Sequence, residues 1–271
     1  NGIGGQMGHA LIKAVSNDNH GFDIVGGVDP NCAAEQPFPV FASATDINMP
    51  VDVVIDFSVP KATEEILAYC VRKKVPAVIC TTALSDALIE QIRVASRTIP
   101  IFRSGNMSLG VNLMRVLIRQ ARQTLGDAFD IEIIETHHNR KKDAPSGTAL
   151  MLAEAISEAD SVPHAYVFGR SEKDRRRTPG EIGFHSIRGG TIVGQHEVRF
   201  LGEDEEISVR HEAYSKQVFA AGALRAAQFL LSKKSGLFSM DDLVSELFVR
   251  IHVVYELCVK DWRLEDRKSV V

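Results

Sequence analysis

Between Val51 and Arg103 three short apolar runs recur with helical stretches between them, and this alternation constrains the fold more than any other feature. The runs are Val51–Phe57 (VDVVIDF, bounded by Pro50 and Pro60), Val75–Cys80 (VPAVIC) and Ile99–Arg103. The intervening stretches, Lys61–Lys74 and Ser85–Ala95, carry apolar residues at helical spacing, such as Ala62, Ile66, Leu67 and Cys70. A strand that is apolar throughout has no face to give to water. Short strand–helix–strand connections then predict a parallel sheet covered by helices on both sides. Upstream, Phe22–Val28 reads as a further strand ending at Asp29, and Gly8–Val15 as a helix with Leu11, Ile12 and Val15 on one face.

The pattern changes after Asn106. A long helix over Asn112–Leu125 leads into Ile131–Glu135 (IEIIE), where apolar and acidic residues alternate. A helix over Ala149–Ala159 follows, then strands at Glu181–Arg188, Thr191–Leu201 and Glu206–Glu212, punctuated by Gly189-Gly190 and the acidic turn Gly202–Glu205. These predict an α+β region with antiparallel hairpins, several of them two-sided enough to need a partner sheet. The helix over Ala220–Leu231 returns the chain to the first domain. The expected division is 1–108 with 217–244, then 109–216, and an atypical tail over 245–271. That tail is either a C-terminal helix through its apolar run or non-native sequence.

A net charge of −4 on 271 residues provides no global basic field for nucleic acid or an anionic membrane. Anion recognition must therefore be local, as around Arg140-Lys141-Lys142 or over Lys173–Arg177, the latter read as an exposed loop without chemistry. Cys32, Cys70, Cys80 and Cys258 have no paired or metal-ligand spacing, so neither a metal site nor a disulfide framework is expected, and a reducing cytoplasm is. No apolar run approaches the ~20 residues of a membrane span.

Gly2-Ile3-Gly4-Gly5-Gln6-Met7-Gly8, ahead of the first helix, has the form of a dinucleotide loop. Asp29 lies at the tip of the next strand, where a carboxylate accepts hydrogen bonds from a ribose. Alone, the loop is also an ordinary glycine-rich turn and Asp29 a turn residue before Pro30; the strand pattern favours the cofactor. Asn1 lies already inside the loop, and the strand a dinucleotide fold needs ahead of it is missing, so an N-terminally truncated sequence is expected.

The segment Glu135–Ala149 (ETHHNRKKDAPSGTA) concentrates the remaining chemistry. His137 and His138 end a strand, and a histidine near its unperturbed pKa of ~6.5 can donate a proton at neutral pH. Lys141 can hold a carboxylate or deliver a proton. Ser146-Gly147-Thr148 opens a helix, whose first N–H groups suit an anion, although Ser146 or Thr148 could equally serve only as a cap. Arg140 and Lys142 read as solvated bystanders.

These residues resemble the dihydrodipicolinate reductase family from Gly2 to about Val244. The carrying motif is Glu135-x-His137-His138-x-x-Lys141-x-Asp143-Ala144-Pro145-Ser146-Gly147-Thr148-Ala149. Support comes from the glycine loop, Asp56-Phe57-Ser58-x-Pro60, Asn106-Met107-Ser108-x-Gly110-Val111-Asn112 and Gly236-Leu237-Phe238. The resemblance implies an α/β protein with a Rossmann-like parallel-sheet cofactor domain. A second, α+β domain for substrate binding and oligomerisation would have a mixed, largely antiparallel sheet. It implies reduction of 4-hydroxy-tetrahydrodipicolinate to tetrahydrodipicolinate by NADH or NADPH, in lysine biosynthesis through diaminopimelate, in a homotetramer joined through the second domain. His137 would be the general acid and Lys141 a second proton donor, with His138, Gly147 and Thr148 binding the substrate carboxylates. Gly2, Ile3, Gly4, Gly5, Gln6, Met7, Asp29, Cys80, Thr81, Thr82, Ser104, Gly105, Asn106 and Met107 would line the cofactor.

Two departures matter. Cys80-Thr81-Thr82-Ala83 stands where the family commonly has Gly-Thr-Thr-Gly, which predicts crowding near the nicotinamide. Pro30 stands where some members carry an arginine for a 2′-phosphate, which predicts a lean toward NADH. The alternatives are another two-domain Rossmann dehydrogenase, against which the His-His-x-x-Lys…Pro-Ser-Gly-Thr segment argues, or a nicotinamide-binding protein without chemistry, against which intact His137 and Lys141 argue.

Overall fold

The computed structural model of the chain describes residues 1–17, 21–32, 35–160, 163–171 and 175–247. Residues 248–271 of the tail and Lys173 and Asp174 of the basic loop lie outside them. The chain forms two compact units, one of Asn1–Met107 with the return from Gly222, the other of Ser108–Ala221. In order, the first contains α1 (Gln6–Asn17), β1 (Gly27–Val28), β2 (Val40–Phe41), β3 (Val54–Asp56), α2 (Pro60–Lys73), β4 (Ala77–Ile79), α3 (Asp86–Ala95) and β5 (Pro100–Arg103). Then come α4 (Leu109–Leu125), β6 (Asp130–His137), α5 (Gly147–Glu158), β7 (Ala165–Phe168), β8 (Glu181–Arg188), β9 (Gly194–Leu201) and β10 (Glu206–Ala213). Helix α6 (Gln217–Leu230) leads back to β11 (Gly236–Phe238). Among the described residues no helix is long and apolar enough to cross a membrane.

In the first unit β11-β5-β4-β3 form a parallel sheet, and β1 and β2 a separate parallel pair. Every residue of β4 is buried, as a strand covered on both faces requires. Ile66, Leu67 and Cys70 of α2 and Leu88 and Ile92 of α3 share one core with Ala77, Ile79 and Ile101. Helix α2 begins with Pro60, where the missing N–H costs nothing, and ends on Lys74 in the left-handed region at φ 58°, its N–H reaching the carbonyls of Cys70 and Val71. Ser85 caps α3 by accepting from the Leu88 N–H. Of the expected strand Phe22–Val28 only Gly27 and Val28 enter a ladder. Asn1 and Gly2 bridge the two sheets: the Gly2 N–H donates to Val28 O at 2.8 Å and the Phe57 N–H to Asn1 O at 3.1 Å. Beside that bridge runs an apolar cleft lined by Ile3, Leu11, Val28, Phe41 and Val54.

The second unit is built on one five-stranded sheet, in the order β10-β9-β6-β8-β7. It is mixed, as expected, but not largely antiparallel. β6 pairs antiparallel with β9 and β9 with β10, whereas β6–β8 and β8–β7 are parallel. The reason is α5, which makes the step from β6 to its neighbour a crossover instead of a hairpin. Strand β7 is not among the expected strands. Met114 and Ile118 of α4 and Leu152, Ala153 and Ile156 of α5 cover one face, packing on Ile131, Ile133, Ile182, Phe184, Val198 and Phe200. Strand alternation puts Glu132, Ile134, His185 and Ile187 on the opposite face.

The described part of the basic loop is not a free charged loop. Arg175 reaches Glu181 at 2.9 Å and Arg177 reaches Asp130 at 2.9 Å. Hydrogen bonds from Thr178, Arg170 and Arg175 hold the Glu181 carboxyl down at about 2.

Candidate active site

In the second unit, alternation along β6 sends Ile131, Ile133, Glu135 and His137 to the helix-covered face. The first two join the apolar core; the last two open a polar layer. Register continues that layer across the sheet. Glu135 lies opposite Ser186 on β8 and His196 on β9, and His196 lies opposite His211 on β10. Glu135 is 1% exposed. Its carboxylate receives both terminal nitrogens of Arg188, at 2.8 and 2.6 Å, the Ser146 N–H at 3.1 Å and His137 Nδ1 at 2.5 Å. Burial alone would raise its pKa, but Arg188, Ser186 and His137 outweigh burial and hold it at about 2. An ionised carboxylate only accepts, so Nδ1 of His137 carries the proton and Nε2 is the titrating nitrogen.

Burial pulls the pKa of His137 below the ordinary histidine value; Glu135 pushes back, while Lys141 and Arg188 add to the fall. The His196 ring stands edge-on to it, 5.1 Å between centroids, with Nε2 hydrogen-bonded to Ser146 Oγ at 2.9 Å. Burial, then the neighbouring His137, push His196 down to about 3. It is therefore a neutral member of the layer.

Beyond His137 the chain is braced by the Gly189–Ile192 turn. The Gly189 N–H donates to His137 O, the His138 N–H to Ile192 O and the Asn139 N–H to Gly190 O. Lys141 Nζ sits 2.8 Å from Asp143 and, by that hydrogen bond, holds its carboxyl below the usual range. Nδ1 of His138 is buried without a hydrogen-bond partner among the described residues. Arg140 and Lys142 are exposed. Ser146 caps α5 by accepting from the Ala149 N–H, so Gly147 and Thr148 form its first turn, which contains no acidic residue. One carboxylate, Glu135, thus ties the end of β6 to the start of α5. The space over Gly147 is open.

Sequence reasoning missed four members of this site. Glu135 was legible, being two residues from His137 on one strand and hence on the same face. Arg188, His196 and Gly194 arrive from strands some 50 residues away, and only pairing brings them in. Gly194 matters because a Cβ there would lie 3.1 Å from His137 Nε2.

In the first unit eight of the residues expected around a cofactor follow the C-terminal ends of parallel strands, where ligands of such sheets bind, and the other six form the glycine loop and the opening of α1. Asp29 follows β1, Cys80–Thr82 follow β4 and Ser104–Met107 follow β5. Asp29 accepts from the Gly4 N–H at 3.0 Å and the Asn31 N–H at 2.9 Å, which fixes the glycine loop against β1. A Cβ on Gly8 would collide with the carbonyl of Ile3, so α1 can start this close only with glycine there. Gln6 and Met7 open α1, whose first turn has no acidic residue. A loop this close to a helix start, with the positive end of the helix dipole behind it, fits a pyrophosphate-bearing cofactor. Cys80, Thr81 and Met107 are buried and Thr82 and Gly105 exposed, so the first three offer chiefly backbone to a ligand. The organiser of this edge is the fully buried Asp56, whose carboxylate receives Asn1 Nδ2, the Ser58 N–H and hydroxyl, and the hydroxyls of Thr63 and Thr81.

Family models of dihydrodipicolinate reductase match the chain nearly end to end, the N-terminal part over residues 1–107 and the C-terminal part over 110–244. The 4-hydroxy-tetrahydrodipicolinate reductase of Caldanaerobacter subterraneus subsp. tengcongensis is 46% identical over 90% of this chain and 96% of its own. That of Clostridium tetani is 45% identical over 90% and 95%. The dipicolinate-bound dihydrodipicolinate reductase of Paenisporosarcina sp. TG-14 superposes with a TM-score of 0.73 at 26% identity, covering 88% of this chain and 95% of that one. The chain belongs to the dihydrodipicolinate reductase family.

Proposed function

We propose that the chain is an NAD(P)H-dependent oxidoreductase that reduces 4-hydroxy-tetrahydrodipicolinate to tetrahydrodipicolinate in lysine and diaminopimelate biosynthesis. The observation that carries the reading is the meeting of His137, through Glu135, with the capped start of α5. A nicotinamide cofactor, held by the Gly2–Met7 loop, Asp29 and the segments after β4 and β5, supplies the hydride. The chain's own part is to hold the substrate and move protons.

The first-turn N–H groups of Gly147 and Thr148, with His138, bind the substrate carboxylates. The 4-hydroxyl leaves as water while the ring gives up one proton, and the net reaction takes up one hydride and one proton. His137 delivers a proton from Nε2 and Lys141, once the substrate draws it from Asp143, serves as the second donor. In the free site, burial keeps His137 short of protons. A dianionic substrate brings the opposite sign of charge, raises the histidine's pKa and loads the donor as it binds. Such prepositioned cations and N–H groups stabilise charge where it develops. Asp29 followed by Pro30, with no arginine at that position, favours NADH over NADPH. A cytoplasmic setting suits a step that draws on a soluble nicotinamide pool. The uncovered face of the five-stranded sheet joins copies of the chain into a homotetramer.

The test is cofactor oxidation with freshly generated substrate, measured with NADH and NADPH in parallel. His137→Ala and Lys141→Ala should each lower turnover by on the order of 10² or more. Unchanged rates in both would overturn the roles assigned. A clear preference for NADPH would overturn only the cofactor assignment.

A further inference from the structure

We propose that Glu135 and Arg188 form a positioning pair that dictates which nitrogen of His137 carries the transferable proton. The inference rests on the reading of His137 as a donor and goes beyond it, since neither Glu135 nor Arg188 touches substrate in that reading. The geometry comes from three strands. Glu135 and His137 are two residues apart on β6 and share a face, so the carboxylate meets Nδ1 at 2.5 Å. Arg188, opposite His137 on the parallel neighbour β8, closes on the same carboxylate with two nitrogens at 2.8 and 2.6 Å. The bidentate pair fixes the plane of the carboxylate as well as its charge.

Two consequences follow for the ring. Glu135 is kept ionised and cannot donate, so the proton on Nδ1 is locked in place and Nε2 is left as the exchanging nitrogen. Nε2 is the nitrogen facing Gly194, where the missing side chain leaves room beside it. The charged and titratable groups around His137 are Glu135 on β6, Arg188 on β8, His196 on β9 with His211 behind it on β10, and Lys141 in the following loop. Of these only Glu135 is negative. It alone among them opposes burial, Lys141 and Arg188, which together hold the histidine's pKa below its ordinary value.

Glu135→Gln removes the charge with little change of shape. Arg188 retains the amide oxygen, which turns the NH₂ toward Nδ1 and makes that nitrogen an acceptor. In the wild-type free enzyme, ¹⁵N shifts of the His137 ring, assigned against His137→Ala, should give Nδ1–H with Nε2 titrating. In Glu135→Gln the ring should switch to Nε2–H and titrate at lower pH. The alkaline limb of kcat/KM should move the same way, and kcat should fall by on the order of 10² or more with KM little changed. Arg188→Lys keeps a cation on Glu135 and should retain the Nδ1–H tautomer with a smaller loss.

An Nε2–H tautomer in the wild-type enzyme would overturn the proposal even if Glu135→Gln fails to fold. So would a tautomer and pH profile left unchanged by that substitution. Full turnover in His137→Ala would instead remove the donor role, and the tautomer measurement tells the two failures apart.

Discussion

Ala83 sits in the left-handed region at φ 55°, in the turn that follows β4. An L-residue with a Cβ is disfavoured there by roughly 1–2 kcal/mol, and glycine is not. From the sequence, the departure at Ala83 reads as bulk beside the nicotinamide; the geometry adds a backbone consequence, since a glycine at this position would meet the turn without strain. Ala83→Gly should therefore raise stability by about 0.5–1 kcal/mol after the larger entropy of the unfolded glycine chain is counted. Urea unfolding of the two proteins checks this, and a destabilised glycine variant would remove the strain argument. At the same scale, the link between Glu135 and His137 is legible because period-two alternation assigns faces directly. The left-handed turn at Ala83 is not, because nothing in Cys-Thr-Thr-Ala announces a positive φ.

At the scale of elements, the polar layer Ser186–Glu135–His196–His211 crosses four strands on the helix-covered face of the sheet, next to its apolar core. Its energetics depend on pH in two windows. Glu135 has its pKa depressed to about 2, so its contribution is complete above the unfolded value of ~4.5 and is lost as pH falls through 2. His196, His137 and His211 are depressed too, the first to about 3, so folding favours the neutral form of each. Their contribution is complete above the unfolded value of ~6.5 and is lost as acid forces protons onto them. Stability should accordingly begin to decline below about pH 6.5, well before the carboxylate window opens. His196→Gln should flatten that early decline by up to ~1.4 kcal/mol per pH unit, read from urea midpoints between pH 7.5 and 5. An identical slope in the variant would place the early loss elsewhere. Apart from β7, strand boundaries in this sheet are readable to within a few residues. Pairing is not, because alternation says which face a residue takes and is silent about which strand lies next to it.

For the whole molecule, the alternation of the first unit and the motif after β6 were enough to reach the family, because both depend on local spacing. What sequence spacing could not supply was the balance of the second sheet's two faces. One is closed by α4 and α5. The other mixes ion pairs, among them His185–Glu132 at 2.8 Å and Arg170–Glu132 at 2.8 Å, with apolar residues such as Ile187, half exposed at 51%. A sheet with apolar residues on both faces is stable in water when a second layer covers the open one. In the proposed homotetramer that layer is another copy of the chain, and a two-fold contact would bring the same patch from both copies together. Ile187→Glu places charge on that face, opposite Thr136 on β6, where the isolated unit loses little because the side chain is already half in solvent. Sedimentation velocity should give a tetramer for the wild-type chain and smaller species for Ile187→Glu, with far-ultraviolet circular dichroism unchanged. A wild-type monomer, or a variant that keeps the full tetramer mass, would mean that the open face of β6 and β8 is not where copies meet.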